Sequence, residues 1–180
     1  MIEPFSTVVR FWKDAGPKKW FAKSDAFDQE ITARFLATIQ AARRGACTAW
    51  EQTAEGALGL IIVLDQFPRN VFRDTAEMFA SDAEALAVAI RAIDTGHDAA
   101  VDADLRPFIY MPFMHAEDME MQNRCVALFE AHGVAENLRF AHIHADAIRR
   151  FGRFPHRNAI LGRASTPEEI AYLEDGGFSG

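Results

Sequence analysis

Apolar residues recur at the spacing of an α-helix along almost the whole chain, and this periodicity limits the fold more than any other feature of the sequence. Phe27, Ile31 and Phe35 lie on one face of the first long segment, which ends at Gly45. No stretch alternates between apolar and polar residues at a period of two, as a half-buried strand would. The pattern therefore predicts an all-α protein whose helices are joined by short loops and pack as antiparallel pairs. Later segments stop in the same way at Gly96, Gly133 and Gly152.

The size and composition of the chain favour one globular domain. A length of 180 residues suits a single compact core, and no linker-like composition divides it, so we expect one domain over residues 1–180. Hydrophobic residues make up 49% and charged residues 25%, which is typical of a folded, soluble chain rather than a disordered one. The formal net charge of -7 argues against a general nucleic-acid binder, which would present a basic face.

The sequence gives no sign of export or membrane insertion. The longest apolar run, 57–64, is too short to cross a bilayer, and the N-terminus lacks a signal-peptide pattern. Cys47 and Cys125 match no metal-ligand spacing, and Cys125 falls in an apolar helical stripe. We therefore expect a cytoplasmic protein with reduced thiols, without a membrane partner or a bound metal.

A buried carboxylate is expected near the end of the most apolar helix. This helix is predicted over 53–67, and its middle is apolar on all sides. Asp65 lies near its C-terminal end, where the helix dipole disfavours an anion, so Asp65 should be paired with an arginine. The pair can be interpreted equally well as a structural ion pair or as part of a ligand site. The available cations are Arg69, Arg73, Arg106, Arg153 and Arg157.

One short sequence motif occurs twice in similar form. Residues 67–73 read Phe-Pro-Arg-Asn-Val-Phe-Arg, and 154–160 read Phe-Pro-His-Arg-Asn-Ala-Ile, followed by Arg163. Both copies follow an apolar helical segment, and we interpret both as loops that place arginine and asparagine beside phenylalanine. Charges so close to core-facing aromatic rings are costly unless they are paired, so both loops are candidate polar sites.

A predicted helix over 116–132 changes character along one face. Its C-terminal half buries Cys125 and Phe129, whereas its N-terminal half is polar on the same side. Carboxylates in a first turn also favour the helix dipole, so part of this polarity needs no function. The helix dipole does not explain the polar residues His115 and Gln122, and we therefore expect a polar pocket here. The polar residues of this face are His115, Glu117, Asp118 and Gln122.

The predicted helix over 136–151 carries two histidines on opposite faces. His144 shares an apolar arc with Phe140 and Phe151, whereas His142 faces solvent. A buried imidazole needs a hydrogen-bond partner, so His144 is either a satisfied core histidine or a functional one. Two other helix starts carry capping-box signatures, Ser81 with Glu84 and Thr166 with Glu169.

These residues also carry a resemblance to a known family. They are Phe11-Trp12, Trp20-Phe21, Phe27-Asp28, Trp50, 64–70, Arg73, Phe79, Asp82, Arg106, Phe108, Tyr110, Pro112-Phe113, His115, Glu117, Gln122, His144, 150–158 and 161–163. In them the chain resembles the bacterial domain-of-unknown-function family 924, which belongs to the TPR-like helical superfamily. The resemblance implies a TPR-like stack of helix pairs and supplies no activity. Ala116 stands where the family usually has serine, which counts against a serine nucleophile.

Four functions are compatible with this set of residues. The first is a pocket for a small anionic ligand, phosphate or carboxylate, because arginine forks bind two oxygens in a plane. A histidine beside a carboxylate could then act as a general acid or base in hydrolysis or group transfer. The second is a TPR-like protein-interaction module without catalysis. The third is a metal site of His115, Glu117, His144 and His156, which the crowding of arginines disfavours. The fourth is a purely structural polar network.

The anion-binding hypothesis assigns roles to thirteen residues, without specifying a cofactor. The catalytic candidates are His115, Glu117 and His144. The ligand-binding candidates are Asp65, Arg69, Arg73, Arg106, Gln122, Arg153, His156, Arg157, Asn158 and Arg163.

Overall fold

The computed structural model describes all residues from Met1 to Gly180, and they form helices and connections without a strand. The all-helical prediction is thus confirmed, while TPR-like stacking remains a prediction. Short 3-10 turns occur at Thr48–Gln52, Ala76–Phe79 and Pro155–Arg157. The α-helices are α1 (Phe5–Ala15), α2 (Pro17–Trp20), α3 (Asp25–Arg43), α4 (Ala54–Ile61), α5 (Phe67–Val71), α6 (Asp82–Asp94), α7 (His97–Ala100), α8 (Pro107–His115), α9 (Met119–His132), α10 (Ala135–Phe151) and α11 (Pro167–Glu174).

The chain divides into two compact units within α8. Unit 1 comprises Met1–Pro112 and unit 2 comprises Phe113–Gly180. The expectation of one domain over the whole chain remains a prediction.

Unit 1 is built around aromatic side chains from three helices. Phe35 of α3 lies 4.8 Å from Phe67 of α5 between ring centroids, and Trp12 of α1 lies 5.7 Å from Phe67. All three side chains are fully buried. α1 packs closely on α4 at Gly59, where a Cβ atom would lie only 2.9 Å from Cβ of Phe5. The packing therefore depends on the missing side chain at Gly59.

The helix that carries Asp65 contains one π-helical turn. α4 runs without a break through this turn, Ile62–Gln66, into α5. The helix therefore continues past the predicted end at residue 67, and the first Phe-Pro copy is helical over Phe67–Val71, so its interpretation as a loop is wrong for these residues. Pro68 follows the π turn directly and supplies no N–H to the helix at that point. The π turn contains two buried polar side chains, Asp65 and Gln66.

Unit 2 has an antiparallel helix pair as its frame. α9 and α10 are connected by Gly133 and Val134, and Gly133 takes the left-handed conformation with φ of 83°. Ala147 and Ile148 of α10 pack against Phe154, which lies just before the Pro155–Arg157 turn. The second Phe-Pro copy therefore follows α10 directly and lies on its apolar face.

Two predicted details of α9 and α10 are wrong. α9 starts at Met119 rather than at residue 116, because the Asp118 side chain caps it by accepting a hydrogen bond from the Met121 N–H at 3.0 Å. His115 therefore ends α8, and Glu117 lies in the connection between the two helices. On α10, Phe140 is 39% exposed, and Ala141 is buried instead. The buried arc is thus rotated from the predicted one.

One of the two capping boxes forms. Thr166 Oγ1 accepts from the Glu169 N–H, and Glu169 Oε2 accepts from the Thr166 N–H at 2.8 Å. Ser81 makes no cap hydrogen bond; its hydroxyl donates to the Leu64 carbonyl at 2.7 Å, and its oxygen accepts from Arg43 Nε at 3.3 Å. The capping-box prediction is therefore confirmed for Thr166 and wrong for Ser81.

Candidate functional site

Asp65 is fully buried and paired with an arginine one helical turn away. Arg69 Nη1 lies 3.2 Å from Asp65 Oδ1, and the same nitrogen donates to Asp82 Oδ1 at 2.9 Å. Burial lowers the pKa of Arg69, but the carboxylates of Asp65 and Asp82 more than offset it, and the net shift is upward. The prediction that Asp65 is paired with an arginine of a Phe-Pro segment is confirmed.

The other two arginines predicted in unit 1 have different partners. Arg73 Nε donates to Asp28 Oδ2 at 2.9 Å, and Asn70 Nδ2 donates to Asp28 Oδ1 at 2.7 Å. Arg106 Nη2 donates to the Ala99 carbonyl at 3.3 Å. The hydrogen bonds of Arg69, Arg73 and Arg106 therefore go to three different parts of unit 1.

Glu117 binds the segment that follows α10. Arg163 donates Nη1 to Glu117 Oε2 at 2.6 Å and Nη2 to Oε1 at 2.9 Å, and the Phe154 N–H donates to Oε1 at 2.7 Å. Burial raises the pKa of Glu117, but hydrogen bonds from Arg163 and Phe154 outweigh it and lower the pKa overall. Glu117 is therefore an anion with its oxygens already engaged.

A second carboxylate, Glu169, extends this network, although the sequence did not identify it as a polar-site residue. Arg153 donates Nε to Glu169 Oε1 at 2.7 Å and Nη2 to Oε2 at 2.8 Å. Asn158 Nδ2 donates to Glu169 Oε2 at 3.2 Å, and Arg163 Nε donates to Asn158 Oδ1 at 3.0 Å. Hydrogen bonds from Arg153 lower the pKa of Glu169 to about 2. The capping-box signature was the signal that could have located Glu169.

His144 is buried, as predicted, and its tautomer follows from its partner. Nδ1 lies 2.8 Å from the Phe140 carbonyl, which can only accept a hydrogen bond. Nδ1 therefore carries the hydrogen, and Nε2 keeps its lone pair. Burial lowers the pKa of His144 to about 3, so its imidazole is neutral near pH 7.

The two other predicted histidines lie in the same part of unit 2. The His115 ring lies 6.4 Å from the His144 ring, and the rings of His144 and His156 each lie 5.6 Å from that of Phe154. Arg157 donates from Nη2 to the His115 carbonyl at 3.0 Å and places its guanidinium 4.7 Å from the Phe154 ring centroid. We call these five residues the histidine cluster.

His156 is the member of the cluster with an unused buried nitrogen. Its Nδ1 is buried and has no hydrogen-bond partner. Burial, followed by repulsion from the Arg157 cation, lowers the pKa of His156 to about 4. The cluster therefore combines two histidines that are neutral near pH 7 with a buried guanidinium.

Phe178 lies against this cluster, and nothing in the sequence indicated it. Its ring centroid lies 4.2 Å from that of His144, 5.0 Å from that of His156 and 6.1 Å from that of Phe154. It comes from the segment after α11, which carries no motif.

Gln122 fixes the backbone at the end of α8. Its Nε2 donates to the carbonyls of Phe113, Met114 and Ala116 at 3.3, 2.8 and 2.8 Å, whereas its buried Oε1 has no hydrogen-bond partner. The peptide carbonyls around His115 are thereby tied to α9.

One surface cavity lies in unit 1 and includes none of the predicted site residues. It has a volume of about 360 Å³ and is lined by Val9, Arg10, Lys13, Glu55, Leu58, Ala100, Val101, Asp102 and Leu105. Histidine, cysteine and acidic side chains do not come together in groups of three or more that could hold a metal ion. No helix combines the length and the apolarity needed to cross a bilayer.

Comparison with known proteins gives a family and a similar fold. The profile of a family described as "Bacterial protein of unknown function (DUF924)" matches residues 8–177. The solved structure of the protein of unknown function ATU0120 from Agrobacterium tumefaciens is 50% identical in sequence. The two superpose with a TM-score of 0.93 over 96% of this chain and 97% of that one. No curated protein matches this chain.

Proposed function

Because this chain belongs to DUF924, a bacterial family whose description assigns no function, we propose a function from its own residues: unit 2 binds a small anionic ligand at the histidine cluster. The observation that carries the proposal is the position of the buried Arg157 guanidinium beside His144 and His156. Both imidazoles are neutral near pH 7 and add no charge of their own beside the guanidinium.

The protonation states of the histidines support this ligand class. Burial and Arg157 keep the pKa values of His144 and His156 at about 3 and about 4. An anion bound beside them would offset the repulsion from Arg157 and raise both pKa values. Binding should therefore be accompanied by proton uptake at His156, whose pKa is the higher of the two, and should strengthen as the pH falls below neutrality.

In this proposal the predicted residues have different roles. His144 is the candidate general base, because its Nε2 lone pair is available at neutral pH. His115 and His156 contact the ligand together with Arg157. Glu117 acts as a positioning residue, because Arg163 and Phe154 already engage its oxygens.

The remaining candidates support the cluster or lie in unit 1. Gln122 holds the backbone around His115, and the side chains of Arg153, Asn158 and Arg163 form the hydrogen-bond network with Glu169 and Glu117 described above. We assign a structural role to Asp65, Arg69, Arg73 and Arg106, because their hydrogen bonds are made within unit 1.

The corresponding reaction would be hydrolysis or group transfer on an anionic substrate. His144 Nε2 would take a proton from a water molecule or a hydroxyl group, and Arg157 would bind the negative charge of the substrate.

A thermal-shift titration tests the binding site. Inorganic phosphate and acetate are titrated against the wild type and the variants His144→Ala and Arg157→Ala, at pH 6 and pH 8. His142→Ala is the matched control, because His142 is an exposed histidine of the same helix. We expect the wild type and the control to be stabilised, more strongly at pH 6, and both cluster variants to lose the response. A wild type that no anion stabilises, or cluster variants that respond like the wild type, would contradict the proposal.

A second candidate function is an interaction module, and an exposed aromatic side chain in unit 1 favours it. Phe21 is 68% exposed and is flanked by the exposed residues Lys18, Lys19 and Lys23. A partner that fits this surface is an acidic peptide with an apolar side chain. Fluorescence anisotropy with a labelled acidic peptide tests it: Phe21→Ser should abolish binding, and equal binding by both proteins would exclude this surface.

A further inference from the structure

The segment after α11 turns back onto the histidine cluster. Gly176 takes the left-handed conformation with φ of 81°, which reverses the chain. Phe178 then places its ring against His144 and His156. At Gly180 the backbone passes so close to His156 that a Cβ atom would lie 3.3 Å from His156 Cδ2.

Tyr172 of α11 fastens this segment. The Phe178 N–H donates to Tyr172 Oη at 2.9 Å, and the Gly177 N–H donates to the Tyr172 carbonyl at 2.8 Å. A Cβ atom at Gly177 would lie 2.5 Å from that carbonyl oxygen, so the tight fit depends on glycine. The Phe178 side chain is only partly buried. A few local hydrogen bonds therefore hold a phenyl ring in place over the cluster.

We propose that segment 176–180 is a lid and that the Phe178 ring occupies the place of the ligand's own planar group, so that the ligand is an aromatic anion of about phenyl size. This inference rests on the proposed function of the histidine cluster and specifies its ligand class.

The surroundings of Phe178 provide the argument from shape. Its ring lies near those of His144, His156 and Phe154, at 4.2, 5.0 and 6.1 Å between centroids and with interplanar angles of 50°, 88° and 69°. Such rings favour offset or edge-to-face contacts with another aromatic ring. A space that holds a phenyl group in this way accepts an aryl group of the ligand with the same contacts.

The charge of the cluster provides the argument for an anion. Arg157 lies over the Phe154 ring, and its guanidinium acts on both His144 and His156. When an aryl ligand replaces Phe178, its ring packs against the same neighbours as the phenyl ring did, so the exchange adds little to the net affinity. The contact between the ligand's anionic group and Arg157 then decides whether the lid opens.

Tyr172→Phe is the sharpest variant, because it removes one hydrogen bond of the lid and leaves Phe178, the histidines and Arg157 in place. Phenyl phosphate, cyclohexyl phosphate and inorganic phosphate are titrated calorimetrically against the wild type, Tyr172→Phe and Phe178→Ala. We expect phenyl phosphate to bind best in every protein. Its affinity should rise about fivefold in Tyr172→Phe, the equivalent of one neutral hydrogen bond, and further in Phe178→Ala.

The outcomes separate this inference from the proposed function. Suppose that inorganic phosphate binds but that phenyl phosphate binds no more tightly than cyclohexyl phosphate, or that Tyr172→Phe has the same affinity for phenyl phosphate as the wild type. Either result would exclude the lid and the aromatic ligand and would leave the proposed anion site standing. If none of the three phosphates binds to any of the proteins, both proposals fail.

Chemical modification gives a second measurement that does not need a ligand. Diethyl pyrocarbonate modifies neutral imidazoles that solvent can reach. We expect it to modify His144 and His156 faster in Tyr172→Phe than in the wild type, with His142 unchanged as the internal control. Equal rates at His144 and His156 in the two proteins would overturn the lid.

Discussion

Glu117 and Arg163 lie 46 positions apart in the sequence and form two hydrogen bonds, at 2.6 and 2.9 Å. The bidentate pair joins the connection after α8 to the segment after α10. Because the Phe154 N–H also donates to Glu117, this carboxylate fixes the start of the Pro155–Arg157 turn that carries His156. Geometry at the histidine cluster therefore depends on a pair outside it.

Replacing Glu117 by glutamine should lower the free energy of unfolding by about 1.5–3 kcal/mol, the usual contribution of hydrogen bonds to charged groups. Urea denaturation measures this change. Glu120→Gln, which alters an exposed acid at the start of α9, should stay within about 0.5 kcal/mol of the wild type. Equal losses in the two variants would show that the Glu117–Arg163 pair contributes nothing specific.

Replacing Asp65 by alanine should lower the free energy of unfolding by about 3–5 kcal/mol, because it removes one partner of a buried ion pair. Arg69 retains Asp82, so the loss should lie near the lower end of this range. Asp65→Asn removes the charge with little change in shape and should cost less. Chemical denaturation compares both with Glu84→Ala, an exposed acid of α6. An Asp65→Ala variant as stable as that control would contradict the prediction.

The free energy of unfolding should decrease as the pH is lowered below neutrality, because of His144 and His156. Their folded-state pKa values are lowered from 6.5 to about 3 and about 4. Below pH 6.5 the unfolded chain binds a proton at each histidine that the folded chain does not bind, so acid favours unfolding. Each histidine can contribute a slope of up to about 1.4 kcal/mol per pH unit, and His156 stops contributing below about pH 4.

Urea midpoints between pH 4 and pH 7 measure this slope. His144→Gln should reduce it, whereas His142→Gln on the same helix should leave it unchanged. A wild type whose stability does not change between pH 6.5 and pH 4.5 would show that neither histidine is held neutral by burial.

Both cysteine thiols should be inert in the folded protein. Cys47 and Cys125 are buried, and burial raises the pKa of both thiols, that of Cys125 to about 12. Because the thiolate is the reactive form, a disulfide reagent should modify neither residue within minutes at pH 8 and both in denaturant. Rapid modification of Cys125 without denaturant would indicate local opening of α9.

The helical architecture could be predicted because it depends on local pattern. The apolar period of the chain and the glycine stops are properties of single segments, and the structure contains helices and no strand. The pairing of Asp65 was predictable for the same reason, since its partner Arg69 lies one turn further along the same helix.

The missed features depend on contacts between residues distant in sequence or on competing local hydrogen bonds. Phe178 reaches His144 across 34 positions, and no motif marks it. The start of α9 was misplaced because Asp118 caps the helix, so that α9 begins at Met119, three positions after the predicted start. Glu169 was recognised as a capping residue, but its bidentate pair with Arg153 could not be read from a local motif.

The π turn at Ile62–Gln66 contains one residue more than an α-helical turn would. This extra residue determines the direction in which the side chains after the turn point. A helix advances about 100° per residue, so removing one position from the turn would swing every later side chain of α5 through that angle. Phe67 would leave its place against Phe35, and Arg69 would no longer face Asp82. A substitution in this turn changes one side chain, whereas a change in its length redirects a whole group of side chains. The number of residues between Ile61 and Phe67 thus sets the direction of every side chain of α5.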